Sequence, residues 1–541
     1  MWGIVFITMA LFVYSLLTAV LLAIAVSARR KRDTVRKLRG PPAPSWLLGH
    51  EPEMRLQAEA GDLDFAWIRQ FGTTLKTKAC WGREVVLTAD PRMLQHILHT
   101  SSYHYPKRTD INQSIRNIMG RGIVWASGDA HQRHRKVMNP AFTTQQLRGF
   151  LPLFQSTASR MIQKWKDLIQ AGEQTINVTP WLTRSTLDAI GETAFDYRFD
   201  ALEDAQSELS ESFKYLFADT TPFPPAWDLL FKASWRYIPT SILQLVEYMP
   251  SKEYRRFRNF KTLTKSIAKG LIDQKANIPV EDNATRDVMS VLCKSNVSED
   301  PKRQLDEDEI LSQMATIMFA GHETSASTLS WLFYELGRHP EDQARMREEI
   351  QDLRGRLPSG TDFTMAHHDS LVFTNACIKE VLRLHPIVPT LFRTADRDDI
   401  LPLALPVVTE DGQTLAELHI RKGQDFLLSV CAYNRLPSVW GEDADAWNPG
   451  RFLDVPKEKQ INVGVYANLM TFSAGVRGCI GWRFALIELQ AFAVEVVENF
   501  NIVFPKDVEI TRLAIGLMVP MVKGKMHEGA QMPLHLSLVE D

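Results

Sequence analysis

The sequence of 541 residues predicts a mainly helical (α) protein with a small β-rich lobe and one N-terminal transmembrane helix. Two long helical patterns support this prediction, one from Asp306 to about Gly337 and one from Trp482 to Glu498. The third observation is that the first 28 residues are mostly apolar and carry no charge. No linker, low-complexity tract or repeat divides the chain after residue 50, so residues 46–541 are expected to form one large domain.

The N-terminal segment, residues 1–28, is long enough to cross a membrane. At 1.5 Å per residue it exceeds a hydrocarbon core of about 30 Å. A cleavable signal peptide would place a cation before the apolar run, whereas here the cations follow it, from Arg29 to Arg39. The positive-inside rule keeps that end in the cytosol, which predicts a single-pass anchor with a cytosolic body. Residues 29–45, basic and then proline-rich, are expected to form a stiff hinge.

Charge and cysteine content exclude several classes of protein. A net charge of −2 gives no reason to expect a nucleic-acid partner. The five cysteines are odd in number, scattered and never closely paired. They therefore fit neither a disulfide framework nor a zinc site, and they indicate a reducing compartment with one functional thiol.

The long central helix carries an unusual motif. Asp306 and Glu309 form a capping-box-like start, and the middle of the helix reads Ala320-Gly321-His322-Glu323-Thr324-Ser325. A glycine in a helix interior costs about 1 kcal/mol relative to alanine, and a threonine there can bond back to a carbonyl and bend the helix. A packing glycine beside a solvated acid is one interpretation, and a chemical role is another. A metal site is disfavoured, because further ligands at helical spacing are absent.

A glycine-rich loop with one cysteine precedes the second helical pattern. It reads Phe472-Ser473-Ala474-Gly475-Val476-Arg477-Gly478-Cys479-Ile480-Gly481. A helix N-terminus and a nearby arginine favour a thiolate, and the glycines let the backbone wrap closely round the sulfur. The residues alone leave a redox thiol, a metal ligand and a buried structural cysteine as alternatives.

This loop matches every fixed position of Phe-x-x-Gly-x-Arg-x-Cys-x-Gly, and so it resembles the haem-binding loop of the cytochrome P-450 family. The resemblance runs from about Pro41 to the C-terminus. The sequence looks most like those of membrane-bound members from basidiomycete fungi. It implies that Cys479 is the proximal thiolate ligand of the iron of haem b, with Phe472 over the same face. It also implies the cytochrome P-450 fold, with β-rich segments near residues 72–90 and 386–425. The haem would lie between the helix at 307–337 and the Cys479 loop.

The resemblance assigns roles along the central helix as well. Ala320 and Gly321 would leave room for dioxygen and water beside the haem. Thr324 would hydrogen-bond the reacting oxygen, and Glu323 would relay protons from solvent.

Two further sets of residues match the family. Glu380 and Arg383, with Arg451, correspond to a buried three-way cluster that holds the segment leading to the cysteine loop, although Gly450 stands where an acid is usual. The haem propionates would be bound by cationic or N–H donor groups, at Arg477, Arg393, Arg135 and His131. His131 stands where tryptophan is commoner, so a packing role is equally open for it. His134, His322 and His339 are interpreted as structural.

The substrate segments implied by the family are apolar. They are residues 112–123, 217–237, 387–392 and 516–520. Their apolar members are Phe217, Phe223, Trp227, Ile387, Val388, Leu391, Leu517 and Met518. An apolar cavity beside a membrane predicts a lipophilic substrate, and the fungal resemblance suggests a secondary metabolite such as a terpenoid.

The implied activity is that of a haem-thiolate monooxygenase in the endoplasmic reticulum membrane. Only about 60 residues follow Cys479, so the electrons are expected from a separate NADPH-dependent flavoprotein reductase, with cytochrome b5 as a further donor. Arg133, Arg135 and Lys136 are candidates for its docking face, or form a solvated helix face.

Other functions of the same fold remain open. They are a sterol demethylase-type oxidase, a rearranging enzyme or peroxygenase without a reductase, and a non-enzymatic haem sensor or electron carrier. The pair Glu323 and Thr324 favours the monooxygenase.

Overall fold

The computed structural model describes Thr18 and residues 35–203, 208–214, 216, 224–276, 287–296, 304–453 and 461–540. Apart from Thr18, the predicted membrane anchor lies outside these residues, as do Phe217 and Phe223. Within the described ranges, no helix has the length and apolar character needed to span a bilayer.

Helices make up most of the described chain, as predicted. Those before residue 300 are Glu51–Leu56, Asp62–Phe71, Pro91–Gln95, Thr109–Met119, Gly128–Met138, Thr144–Arg148, Leu151–Gln170, Val178–Ile190, Glu208–Lys214, Ala226–Ser234, Thr240–Leu243, Lys252–Ala276 and Val288–Ser295. Those after it are Glu307–Arg338, Pro340–Gly355, Met365–Ser370, Val372–Leu384, Val430–Tyr433, Pro437–Trp440 and Trp482–Asn499.

The central helix, Glu307–Arg338, has 32 residues and begins where the sequence predicts. The Asp306 side chain accepts from the Glu309 amide at 2.8 Å, and the Glu309 side chain accepts from the Asp306 amide at 3.1 Å. This capping box satisfies amide groups that the first turn would otherwise leave without partners. The prediction of the helix start is therefore confirmed.

The strands form four small sheets. They are β1 (Thr74–Ala79), β2 (Arg83–Thr88), β3 (Thr175–Asn177), β4 (Thr390–Thr394), β5 (Asp399–Val408), β6 (Thr414–Ile420), β7 (Asp425–Ser429), β8 (Phe500–Val503), β9 (Ile510–Ile515), β10 (Leu517–Val522) and β11 (Pro533–Leu538). The orders are β1-β2-β7-β4, β5-β6, β10-β9 and β3-β11-β8. The first two sheets are the predicted β-rich lobe, and the other two lie outside it.

The central helix packs against both halves of the helical core. Its C-terminal half contributes Leu329 and Leu332 to one cluster of buried apolar side chains, and its N-terminal half contributes Met314 and Met318 to another. Leu517 of the β9–β10 hairpin contacts both clusters. Because each fully buried Leu or Met stabilises the fold by about 1.5–3 kcal/mol, this helix is held rigidly on both sides of its motif.

The described part of the predicted hinge belongs to the folded body. Val35 and Leu38 are buried, and Leu38 pairs with Thr409 beside the β5–β6 hairpin. The Arg39 carbonyl accepts from the Lys76 amide at 3.0 Å. The folded domain therefore begins before residue 46, because two apolar side chains of the basic segment pack on the β-rich lobe.

Candidate functional site

The cysteine loop, Phe472–Gly481, is held by its own backbone and by a neighbouring turn. The Cys479 amide donates to the Phe472 carbonyl at 2.8 Å, and the Gly478 amide donates to the Gly475 carbonyl at 3.0 Å. Gly475 has φ +60°, and a Cβ there would overlap the Leu98 carbonyl. The glycine therefore permits both the left-handed backbone and the close approach.

The Cys479 sulfur lies in an enclosed environment. Its side chain keeps accessible surface, yet burial by surrounding protein atoms raises the pKa of the thiol. The Gly481 amide and Arg135 act in the opposite direction with smaller effect. Both groups therefore favour the thiolate, as the sequence predicts, and desolvation of the sulfur opposes them with the larger effect.

Four cationic side chains form a group that we call the unpaired cluster: Lys107, Arg135, Arg393 and Arg477. Arg135, on the helix Gly128–Met138, donates to the Gly478 carbonyl next to Cys479. Arg477 donates to the Ala126 carbonyl at 3.2 Å, and the Lys107 ammonium donates to the same oxygen at 3.4 Å. Three predicted residues, Arg135, Arg393 and Arg477, thus belong to one electrostatic group with a lysine that sequence reasoning missed.

Burial and mutual repulsion lower the pKa values of these four cations. Burial and then Arg477 lower the pKa of Arg393 to about 9. Burial, Arg477 and Arg393 lower the pKa of Lys107. The pKa of Arg135 and of Arg477 is lowered as well, chiefly by burial. Buried like charges that lack a carboxylate destabilise the charged forms.

No carboxylate neutralises the unpaired cluster within the described ranges. None of its four members has an ion-pair partner there, and Arg135 Nε, Arg477 Nε and Arg477 Nη2 are buried without a hydrogen-bond partner. Arg393 donates from Nη1 only to the carbonyl of its neighbour Phe392, at 2.8 Å. Because buried donors are normally satisfied, this arrangement suits an anion that comes from outside the chain.

His131 lies beside the same cations. It is 3% exposed, and its Nδ1 is 3.1 Å from the Tyr103 hydroxyl. Burial, with Arg477 and Arg135, lowers its pKa to about 3, so the ring is neutral at neutral pH. Tyr103 also lies under the Arg477 guanidinium, 5.4 Å from ring centre to carbon. Tyr103 and Lys107 were missed because no sequence spacing relates them to the cysteine loop.

In the middle of the central helix, Ala320 and Glu323 both keep contact with solvent, and Thr324 bonds back to the helix. Ala320 is exposed, and the Thr324 hydroxyl donates to its carbonyl at 2.7 Å. Glu323 keeps 21% of its side chain exposed. An acid with access to solvent thus lies next in sequence to an alcohol, and this arrangement can move protons inward.

Gly321 has a packing function, which is one of the interpretations that the sequence left open. A Cβ at this position would lie 2.6 Å from Ile190 Cδ1, at the end of the helix Val178–Ile190. The Thr186 hydroxyl of the same helix donates to the His322 carbonyl at 3.0 Å. The glycine therefore lets the two helices approach closely, and its role in making room for dioxygen stays a prediction.

Glu380, Arg383, Arg451 and Asp443 form a second group, which we call the paired cluster. Arg383 binds both oxygens of Glu380, at 2.7 and 2.8 Å, and Arg451 Nε donates to Glu380 at 3.1 Å. Asp443 binds Arg451 through both oxygens, at 3.0 and 2.9 Å. The three-way cluster is present, and Asp443 supplies the second acid that Gly450 does not.

The paired cluster is joined to the chain before the cysteine loop. Arg383 Nη1 donates to the Asn434 carbonyl at 2.8 Å. The Asn434 side chain accepts from the Met470 amide at 3.0 Å and donates to the Thr471 hydroxyl at 2.9 Å. These bonds position the residues that lead into Phe472.

The candidate docking residues differ in accessibility. Arg133 forms an ion pair with the buried Glu309, and Arg135 is directed to the cysteine loop. Only Lys136 of the three is exposed. The prediction of a shared docking face is therefore corrected for Arg135, whereas Arg133, with 27% of its side chain exposed, and Lys136 stay candidates.

Two of the described substrate segments contact each other. The Met518 amide donates to the Ile387 carbonyl at 2.7 Å, which joins the turn at 387–392 to the β9–β10 hairpin. Trp227, in contrast, is 62% exposed on the helix Ala226–Ser234. It lies on the surface rather than in a pocket lining, because the helix turns its buried face, with Leu229, inward.

Comparison with known proteins identifies the family. A family model described as Cytochrome P450 matches residues 39–526. Cytochrome P450 monooxygenase 205 of Postia placenta is 31% identical over 96% of both chains, and monooxygenase 128 of that fungus is 33% identical over 92% of both. A ganoderic acid synthetase of Ganoderma lucidum is 31% identical over 87% of this chain and 88% of its own. The chain therefore belongs to the cytochrome P450 family of monooxygenases, and the predicted resemblance to basidiomycete members is confirmed.

Proposed function

We propose that this cytochrome P450 monooxygenase oxidises a lipophilic small molecule with haem b as its cofactor and a separate NADPH-dependent flavoprotein reductase as its electron source. For a hydroxylation, substrate RH, dioxygen, NADPH and one proton give ROH, water and NADP+. The observation that carries the proposal is the unpaired cluster beside the Cys479 loop.

The residues present fit haem b. Cys479 offers one sulfur for the iron. Lys107, Arg135, Arg393 and Arg477 offer donors for two propionates, and none of the four has a carboxylate partner among the described residues. When bound, thiolate-ligated haem supplies the redox chemistry of dioxygen. An anion here would also return the lowered pKa values of the arginines towards their ordinary range.

The chain itself supplies proton handling. Glu323, partly exposed, takes up protons from solvent, and the Thr324 hydroxyl orients a proton donor towards the reacting oxygen. Ala320, exposed on the same side as Thr324, leaves the space that a small reactant needs.

The substrate class is proposed from the apolar residues. Ile387, Leu517 and Met518 lie together, and an apolar site at this place would favour a lipophilic molecule. The similarity to a protein named ganoderic acid synthetase supports a terpenoid-like secondary metabolite. Spectral titration with terpenoids, sterols and simple aromatics tests this substrate class, and we expect the terpenoids to bind most tightly. Tighter binding of sterols would favour a demethylase-type oxidase.

We also propose that residues 1–28 anchor the enzyme in the endoplasmic reticulum membrane, with the catalytic domain in the cytosol. The basic, proline-rich residues 29–45 join the two, and Val35 and Leu38 of this segment already pack on the folded domain. The uncharged segment followed by cations supports this orientation. Deleting residues 1–28 should move the protein from the membrane to the soluble fraction with haem binding retained. A deletion variant that remains with the membrane would contradict the anchor.

Iron ligation is tested by the spectrum of the reduced protein with CO. The wild type should show the red-shifted band of thiolate-ligated haem, and Cys479→Ala should lose it. Cys293→Ala is the matched control, because Cys293 is a partly buried thiol outside the loop, and it should keep the band. A band that survives in Cys479→Ala would refute the ligand assignment.

The reaction class is tested by product formed per NADPH consumed in the presence of the reductase. Thr324→Ala should consume NADPH and release hydrogen peroxide in place of product. Thr328→Ala is the control, because its hydroxyl bonds back to the Thr324 carbonyl at 2.8 Å in the same way. Wild-type coupling in Thr324→Ala, or full turnover without reductase, would favour a peroxygenase or rearranging enzyme.

A further inference from the structure

His322 is fully buried inside the motif that carries Glu323 and Thr324. Its Nδ1 is 2.6 Å from the Met318 carbonyl one turn earlier. Its ring centre is 4.1 Å from that of Phe213, which meets it edge to face. The ring is therefore fixed in orientation by one hydrogen bond and one aromatic contact.

The hydrogen bond determines where one proton of His322 lies. A carbonyl only accepts, so Nδ1 must carry a proton. The remaining ring nitrogen, Nε2, has no aligned hydrogen-bond partner in the described part of the chain, and it lies 3.3 Å from Glu323 Oε1. A neutral imidazole facing a carboxylate would place two acceptors against each other. One further proton between Nε2 and Oε1 removes that conflict.

The surroundings favour sharing of this proton over full charge separation. Phe213 packs on the ring, and Phe319 and Phe260 pack on Phe213. A charged imidazolium in such an apolar place is costly unless a counter-ion is adjacent. Within the described ranges, Glu323 is the one ion-pair partner of His322. The proton is then held by the pair rather than by either residue alone.

Helix geometry places Glu323 between its two neighbours. At 3.6 residues per turn, successive side chains are about 100° apart round the axis, so His322 and Thr324 lie on opposite sides of Glu323. Glu323 can contact the buried ring from one rotamer and turn towards the Thr324 side from another.

We propose that His322 and Glu323 form one proton-holding unit, in which His322 is a positioning residue that keeps a proton available on Glu323. This inference rests on the proposed monooxygenase function. Glu323 releases the proton from Oε1 towards the Thr324 side and becomes a carboxylate, and His322 keeps its Nδ1 proton. Solvent then returns one proton to the partly exposed carboxylate. Only O–H and N–H bonds break and form.

The first test observes the proton directly. Nitrogen NMR of the full-length, reduced, CO-bound protein with labelled histidine gives the state of Nε2, and His322→Gln assigns its signal among the 14 histidines. Glu323→Gln keeps a hydrogen bond to Nε2 but cannot share a proton. The Nε2 signal should therefore move towards that of an unprotonated nitrogen. An unchanged signal in Glu323→Gln would overturn the proposal.

The second test measures coupling. His322→Leu should lower product per NADPH on the order of tenfold, less than the ~10²-fold or more of a lost proton donor, and raise the solvent deuterium isotope effect. His322→Gln, which can still orient Glu323, should recover part of the coupling. His368→Leu is the matched control, because His368 is equally buried and neither of its ring nitrogens has a hydrogen-bond partner among the residues that the structure describes. It should leave coupling and isotope effect unchanged.

The outcomes separate this inference from the proposed function. If the CO band and reductase-dependent product formation hold, but His322→Leu matches the wild type in coupling and isotope effect, the shared proton is refuted and the monooxygenase stands. If the wild type forms no product with reductase, the proposed function fails. In that case the Nε2 signal of His322 in Glu323→Gln still tests whether the two residues share a proton.

Discussion

The paired cluster and the unpaired cluster are both built from buried arginines, and they differ in what surrounds the charge. Arg383 is fully buried, and all three of its terminal nitrogens donate to Glu380 or to backbone carbonyls. Arg477 is largely buried, and two of its three nitrogens have no partner among the described residues. The donors of the paired cluster are therefore satisfied by the chain itself, whereas those of the unpaired cluster are not all satisfied within the described ranges.

This difference separates a structural role from a binding role. A buried ion pair with every donor satisfied stabilises one backbone arrangement, here the segment before the cysteine loop. Buried cations without carboxylates cost stability in the chain alone, and the lowered pKa of Arg393 expresses that cost. The unpaired cluster therefore makes the stability of this region depend on a bound anion.

Removing the acid of the paired cluster should have the largest effect. Glu380→Gln leaves Arg383 and Arg451 without their shared carboxylate, which costs about 3–5 kcal/mol for a broken buried pair. Urea unfolding should show the loss, together with little folded protein. Glu509→Gln, in an exposed pair with Lys523, should change stability by less than about 1 kcal/mol. Equal effects of the two variants would refute the comparison.

Glu488 is the acidic counterpart of the unpaired cluster, because it is a buried acid that no cation neutralises among the described residues. It is fully buried, neither oxygen has a well-aligned hydrogen-bond partner in the described part of the chain, and burial raises its pKa to about 8 against a smaller effect of Ser325. Below about pH 4.5 the folded and unfolded states both carry the proton. Between 4.5 and 8 only the folded state does, so the stability of the wild type falls with rising pH.

Glu488→Gln should therefore be more stable than the wild type by about 1–3 kcal/mol at pH 8, and by much less at pH 4.5. Urea midpoints across this range measure the difference. Glu348→Gln, at an exposed position on Pro340–Gly355, should stay within about 0.5 kcal/mol of the wild type throughout. A Glu488→Gln advantage that does not grow with pH would show that the acid is satisfied in the fold.

Loss of one cation from the unpaired cluster should affect binding more than folding. Arg393→Met should weaken haem b about 10- to 100-fold, the value of one or two charged hydrogen bonds. The haem-free variant should be at least as stable as the haem-free wild type, because one buried charge is gone. Titration with haem and with its dimethyl ester checks this, since the uncharged ester should not distinguish the two proteins. An equal loss for both forms would indicate a structural role.

The smallest effect is expected at Gly450. A Cβ there would meet only the Asn448 side-chain oxygen, at 2.9 Å, and a small shift of that side chain, whose nitrogen donates to Asp443 at 2.8 Å, would relieve the contact. Gly450→Ala should therefore change stability by less than about 0.5 kcal/mol and leave the Arg451 contacts in place. Gly475→Ala is the contrasting variant, because its backbone has φ +60° and the Leu98 carbonyl blocks a Cβ. A large loss in Gly450→Ala would mean that the missing acid matters.

Local signals predicted much of the fold and part of the site. The capping box of Asp306 and Glu309 depends on two residues three apart, so the start of the central helix could be found in the sequence. The short strand β3, with three residues, gives no such signal, and it pairs with β11 across most of the chain. Its sheet could not be predicted, because strand pairing at that separation depends on the complete tertiary structure.

The same limit applies to individual side chains. Arg135, Arg393 and Arg477 could be found because the family resemblance assigns each of them to a haem propionate. Lys107 and Tyr103 could not, because only the folded backbone brings them to those arginines. Ile190 likewise explains Gly321 through a contact between two helices. Asp443 also takes the place of the acid missing at Gly450, because the folded chain brings it to Arg451.

The pairing of β11 with β3 also has a consequence for biosynthesis. Asn177 pairs with Pro533, so about 350 residues separate the two strands. At typical elongation rates they leave the ribosome on the order of 20–70 s apart. During that interval the edge of β3 that binds β11 remains without its neighbour, and Ile176 lacks the cover of Leu534. Translation must therefore reach the last described strand before this side of the helical core can close.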